Sequence, residues 1–372
     1  MTTVTETTTS AIARIRLRAA SAEPWVAALV VLGLALRLWW LFTHTNAIEK
    51  DGAEYARIAQ NVLHGHGYVG LQPGPELLFP PLYPALLAGL SPIFGIEHAG
   101  RVISLLLGSA LPIPAYLVGR RLFGRRTGIA AAAFIAFNPI LIAYSTAVLS
   151  ETTYLTLQLT AAYLLLRAHD RRDLIRAAVA GACWTLAALV RPEAALILGL
   201  FTFAAVVVGL IYRSQRAAMK VAVMALAVCA ATFLPYAAWT SHQAGRLQWS
   251  GKATVSSFIN QRIDDGMSYT VAISAVDADG RPRGVLLDPN SYIKGDYGKA
   301  PLFSPSAELK FERSGVHHLW SNFGRNAVLG APLLALLAAV GLLGGPWTRR
   351  HNENMLLLIV YGGANAVIFG AI

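Results

Sequence analysis

Asp51 and Glu54 stand three positions apart in KDGAEYARIAQNVLHGHGYVG, residues 50–70, directly after the first membrane-length apolar run. Acids are rare in the apolar part of this chain. A carboxylate where a membrane helix emerges into water is placed to act on a lipid-borne substrate whose headgroup lies at the same level. The pair also has the form of a helix N-cap with an acid three residues on, and capping alone accounts for it. The two roles are compatible, because a carboxylate at a helix start can still take a proton from an acceptor hydroxyl. The helix that follows carries Tyr55, Ile58, Ala59 and Val62 on one face, a stripe suited to the membrane surface.

Two further polar clusters interrupt apolar runs. Glu151, in AVLSETTYL, either starts a helix, where an acid is favoured, or joins a site at the same level. Arg191 and Glu193, in LVRPEAAL, flank a proline that allows a helix break. An arginine in a membrane segment is costly and needs a partner. The bland partner is Glu193; the sharper one is a phosphate, which a guanidinium grips with two hydrogen bonds. Arg37 precedes Trp39 and Trp40 and either snorkels to the interface beside them or binds substrate. His64 and His66 lie among glycines and read as a turn rather than a metal site, and no zinc spacing, phosphate-cradling glycine loop or Ser-His-Asp pattern is present.

These residues must be held by membrane helices. The 372 residues are 55% hydrophobic and only 14% charged, where a soluble domain carries about a quarter charged residues. The net charge of +11 does not point to nucleic acid, because most basic residues lie in short loops between apolar runs, the topology signal of a membrane protein. Cys183 and Cys229 lie inside apolar runs and read as packing residues. The pattern predicts about nine spans, over 24–44, 102–118, 128–148 (kinked at Pro139), 153–167, 177–190, 194–212, 221–240, 327–344 and 355–372. Arg14, Arg16 and Arg18 put the N-terminus in the cytoplasm, and every short basic loop then falls on that side. The organisation is thus a cytoplasmic tail, 1–23; a membrane core, 24–240, with a first external loop, 45–100; a large external loop, 241–325; and C-terminal spans, 326–372. The chain stops inside an apolar run, which reads as a fragment or as a last helix ending at the interface. Within the large loop, DADG between MSYTVAISAV and GRPRGVLLD predicts a hairpin, and residues 309–324 an amphipathic surface helix.

A first span, then an acidic helix start reading D-x-x-x-Y-A, then G-x-G-Y, then FPPLYP (residues 79–84) resembles the GT-C superfamily of integral membrane glycosyltransferases. The match is closest to glycosyltransferase family 39-like proteins, which include protein O-mannosyltransferases and aminoarabinose lipid A transferases. It covers about residues 34–200, and RRLFGRR and LSET fit it too. The resemblance implies an all-α bundle with juxtamembrane helices. It implies an inverting enzyme of the outer membrane face that moves a hexose or pentose from a polyprenyl-phosphate donor to a lipid, glycan or protein acceptor. It makes Asp51 the general base, with Glu54 and Glu151 as further acids; where the family often has a second acid beside the first, this chain has Gly52. Arg191 and Arg37 would face the donor phosphate, and Tyr55, Tyr83 and Glu193 would contact substrate. No cofactor is required by the pattern, although a divalent metal is compatible with it. The membrane would be a bacterial plasma membrane. A lipid or solute transporter, with ionisable groups nearer the bilayer midplane, and a membrane scaffold are the alternatives from other classes.

Overall fold

Prolines and short polar caps divide the apolar sequence into helices. The computed structural model describes residues 23–44, 48, 50–72, 74–245 and 247–252, and scattered positions from 255 to 286. Helix α1 (Pro24–Thr43) opens on a proline at its first position, where the missing N–H costs nothing. It is followed by α2 (Lys50–Leu63), α3 (Leu82–Phe94), α4 (Ile96–Ala110), α5 (Pro112–Phe123) and α6 (Arg125–Phe137). At Asn138-Pro139 the chain breaks, because a residue before proline is pushed out of the helical region. The Asn138 side chain then accepts from Leu141 N at 3.1 Å and starts the short α7 (Pro139–Tyr144), so the expected kink is a full break. Helices α8 (Glu151–Arg171), α9 (Leu174–Ala188), α10 (Glu193–Ile211) and α11 (Arg216–Ala244) complete the bundle. Between α8 and α9, Arg172 takes the left-handed conformation and Asp173 caps the N–H groups of Ile175 and Arg176 at 2.9 and 3.0 Å.

The core is built from small side chains between helices: Ala161, Ala177, Ala180, Ala188 and Ala225 are inaccessible to solvent, with Trp184 closing the space between α9 and α10. Small residues let membrane helices approach closely. Cys183 and Cys229 are unbridged and pack there as expected.

Among the described residues, four segments are long and apolar enough to cross a membrane: α1, the α4–α5 pair over Ile96–Phe123, α10, and Arg213–Ala244. The protein is an all-α polytopic membrane protein. The eighth and ninth expected spans and the expected surface helix at 309–324 lie outside the described residues. The expected strand pairing is present: β1 (Ser274–Val276), before DADG in sequence, pairs antiparallel with β2 (Pro282–Leu286), after it.

The expected basic loops gather at one end. Glu23, ahead of α1, meets Arg125 at 2.6 Å and Arg120 at 3.7 Å, and Arg121 pairs with Asp170 at the end of α8. The loop expected over 45–100 contains the helix expected from Asp51 and a second helix that was not expected, Leu82–Phe94. Helix α3, about 20 Å long by its 13 residues, is too short to span; it packs Tyr83 and Leu87 fully into the protein. A short, mostly apolar run interrupted by Pro84 and Pro92 carries no signal that separates such a helix from a loop rim.

Candidate active site

Helix α2 presents Gly52, Tyr55, Ala56, Ile58 and Ala59 to the protein, whereas Val62 is exposed. The stripe expected to lie on the membrane surface therefore packs against protein. Gly52 explains how closely. A Cβ built there would stand 2.6 Å from the carbonyl oxygen of Val148, in the turn that leads to Glu151, and 2.9 Å from Ile48. The departure from the family's second acid is thus a close approach of backbones that leaves no room for a side chain. We expect Gly52→Ala to lower unfolding stability by about 1–3 kcal/mol, the usual range for overpacking, measured by thermal unfolding in detergent. An unchanged midpoint would show that α2 does not dock there.

Asp51 sits in the first turn of α2 and is exposed. Lys50 already belongs to the helix, so Asp51 is inside it rather than at its cap. The capping box is not formed: the Glu54 carboxylate turns to the loop and accepts from Leu71 N at 2.7 Å. One turn on from Asp51, the Tyr55 hydroxyl shares a 2.9 Å hydrogen bond with Ser150 Oγ. Arg191 donates through Nε to the same Ser150 oxygen at 3.4 Å and through Nη2 to Glu151 Oε1 at 2.5 Å. Burial pushes the Tyr55 phenol well above its ordinary range. Arg191 and the Ser150 bond oppose that rise, and the Asp51 and Glu151 charges add to it. Tyr55, Ser150, Glu151 and Arg191, from three separate stretches of sequence, are thus joined by hydrogen bonds at one end of the bundle, with Asp51 one helical turn before Tyr55.

The FPPLYP segment is the floor of this cluster. Tyr55 lies edge-on between Phe79 and Tyr83, at centroid distances of 4.9 and 4.8 Å. Tyr83 is buried and reaches Ser104 Oγ at 3.4 Å, and Leu82 N donates to Leu189 O at 2.9 Å. That last bond ties the floor to the corner carrying Arg191. Tyr83 thus supports Tyr55 from beneath.

Arg191 does not pair with its neighbour Glu193. Glu193 is 1% exposed and accepts from Lys252 Nζ at 2.8 Å, a residue beyond α11. Its other oxygen, and Oε2 of Glu151, have no hydrogen-bond partner among the described residues. Arg37 stands apart from the cluster. It does not snorkel: it is wholly buried, and its guanidinium donates to Ser145 Oγ at 3.0 Å and to the carbonyls of Gly33, Ala136 and Ile135 at 3.0–3.3 Å. Those carbonyls include the last turn of α6, which the break at Asn138 leaves without helical partners. His64 and His66 are exposed. Among the described residues no group of three or more His, Cys, Asp or Glu side chains is placed to hold a metal.

One acid escaped the sequence reading. Glu76 is buried and lies against Glu54; its only signal was an isolated carboxylate between Pro75 and an apolar run.

Residues 79–239 match the family model described as dolichyl-phosphate-mannose-protein mannosyltransferase. That segment holds Tyr83, Glu151, Arg191 and Glu193, and Asp51, Glu54 and Tyr55 precede it. No curated protein matches the chain. Among solved structures, the oligosaccharyltransferase of Archaeoglobus fulgidus in its apo form has a TM-score of 0.50 at 18% identity, covering 94% of this chain and 50% of that one. Its complex with Zn and sulfate gives 0.49 at 18% identity over 93% of this chain and 48% of that one. The chain spans about half the length of the solved structures it matches. With residues 79–239 matching that family and the fold shared with an oligosaccharyltransferase, the chain's likeness to the GT-C superfamily of integral membrane glycosyltransferases stands on sequence and on fold.

Proposed function

We propose that this protein is a membrane glycosyltransferase that moves a sugar from a polyprenyl-phosphate donor to a lipid, glycan or protein acceptor at the outer face of a bacterial plasma membrane. The observation that carries the reading is the hydrogen-bonded group of Tyr55, Ser150, Glu151 and Arg191 at one end of the bundle, above the FPPLYP floor and one helical turn from the exposed Asp51. In this reading Asp51, the exposed acid, takes the proton of the acceptor hydroxyl. The acceptor oxygen bonds to the anomeric carbon from the face opposite the phosphate. The bond from that carbon to the phosphate oxygen breaks, and the lipid phosphate leaves with the electron pair, inverting the centre. Arg191 stabilises the charge that grows on the leaving phosphate, and Glu151 fixes the orientation of its guanidinium. Arg37, engaged by Ser145 and three carbonyls, is a structural residue in this scheme. Glu193 and Lys252 bring the start of the large external loop to the same corner, and acceptor choice falls to that loop. Every step is derived from the chain's own residues, with no part assigned to a divalent metal.

A transporter would carry its ionisable groups near the middle of the bilayer. Arg37, buried within α1, is closed off by Ser145 and backbone carbonyls, while the buried acid Glu193 stands at the first residue of α10, at the same end as Glu151. The test is transfer from radiolabelled polyprenyl-phosphate sugars, hexose and pentose, into membrane acceptors by the full chain. Label appearing in an acceptor supports the transferase. Label that crosses vesicles unchanged, with no product from any donor, supports the transporter.

A further inference from the structure

Outside the cluster around Tyr55, the first external loop contains a carboxyl pair that the proposed reaction does not use. A Cβ built on Gly70 would lie 1.8 Å from Glu54 Oε1 and 2.7 Å from Glu76 Oε2. A side chain at this position would force the two carboxyl groups to move. Both oxygens crowd the same point, so the two carboxyl groups adjoin, and a proton shared between them relieves the repulsion of two like charges. Their remaining capacity is directed into the loop. Glu54 Oε1 accepts from Leu71 N at 2.7 Å, and Glu76 Oε1 accepts from Leu78 N at 2.6 Å and Phe79 N at 3.2 Å. The same loop carries Phe79, which packs on Tyr55.

We propose that Glu76 is a positioning residue: a proton held between Glu76 and Glu54 clasps the first external loop to α2, the helix that carries Asp51 one turn before Glu54. The titratable groups facing the pair are Tyr68 from the loop and Tyr236 from α11. Burial lifts the Glu76 carboxyl to about 7, the N–H groups of Leu78 and Phe79 hold it back, and the Glu54 charge raises it further. Below that point the pair carries one negative charge and the clasp is closed. Above it, the buried Glu76 and half-buried Glu54 carboxylates repel each other beside Gly70. The loop then loosens its hold on Tyr55, and Asp51 loses its fixed position relative to Arg191. What is positioned rests on the transferase reading; the clasp itself does not.

The sign for stability follows from proton counting. The folded chain holds the Glu76 proton to about pH 7, and the unfolded chain releases it near 4.3. Stability is therefore full below the unfolded value and is lost as pH rises towards 7.

The test uses the full chain in detergent, with thermal unfolding and transfer followed from pH 5 to 9 for wild type, Glu76→Gln and Gly70→Ala. Gln keeps the shape and donates an N–H to Glu54 at every pH. The wild-type midpoint should fall between pH 5 and 7, and its kcat should fall about tenfold by pH 8 with donor KM little changed. Glu76→Gln should flatten both profiles while keeping the activity seen at pH 6. Gly70→Ala, which wedges the carboxyls without adding a titratable group, should lower the midpoint at acid pH and flatten its profile. Superimposable midpoint profiles for wild type and Glu76→Gln overturn the proposal. So does equal loss of activity in Glu76→Gln at every pH, which would make the carboxylate itself the requirement. If wild type transfers nothing, the transferase reading falls, and the midpoint profiles still decide the clasp.

Discussion

Asp51→Asn should lower kcat/KM for glycosyl transfer by about 10²–10⁴-fold, the range for loss of a general base, with thermal stability in detergent close to wild type. The small stability effect follows from position. Asp51 is exposed in the first turn of α2, and the docking of that helix is carried by Gly52, Tyr55, Ile58 and Ala59. Surface substitutions away from such packing usually change stability by less than about 0.5 kcal/mol. Asn matches Asp in size and cannot accept the acceptor's proton as a base. The comparison that sharpens the result is Glu54→Gln. Glu54 accepts from Leu71 N and meets Glu76 rather than the Tyr55 cluster. Its loss should act on the loop and on pH dependence, with a smaller effect on rate at pH 6. Asp51→Asn transferring at the wild-type rate would remove Asp51 as the base while leaving the enzyme. A Glu54→Gln defect larger than that of Asp51→Asn would move the base to Glu54.

What could be read in the sequence was whatever depends on hydropathy and local chain geometry. Apolar runs with basic flanks placed α1, α8, α9, α10 and α11 to within a few residues of their observed ends. Pro139 marked the break before α7, and Arg191-Pro192 the one before α10. Helix α3 was missed because a short apolar run between prolines looks the same whether it packs as a helix or skirts a site. At the site, Asp51, Glu151 and Arg191 stood out because a charge in apolar surroundings demands a partner. Which partner each takes is a tertiary fact. Arg191 had Glu193 two residues away and chose Glu151, forty residues distant, while Glu193 is met by Lys252. Glycine carries even less information in sequence. Gly52 looked like a missing acid and is the contact that lets α2 dock on Val148. Gly70 gave no hint of the two carboxyls it lies against.

Arg191→Met should abolish transfer and destabilise the protein, and the two effects can be separated. The Arg191–Glu151 pair is largely buried, with side chains 16% and 22% exposed. Glu151 already has one oxygen without a partner among the described residues. Removing the guanidinium leaves the other oxygen unpaired as well, and breaking a buried pair in this way costs about 3–5 kcal/mol. Adding Glu151→Gln to Arg191→Met removes the stranded charge, so the double variant should regain most of that stability. It should not regain transfer, because the group that meets the leaving phosphate is still absent. Arg191→Lys tests the geometry. A lysine keeps the charge and loses the planar fork that reaches Ser150 and Glu151 together, so stability should hold better than rate. A double variant that recovers both stability and transfer would reduce Arg191 to a structural partner of Glu151. Recovery of stability alone would leave the phosphate as the reason this costly cation stands beside Ser150 and Tyr55.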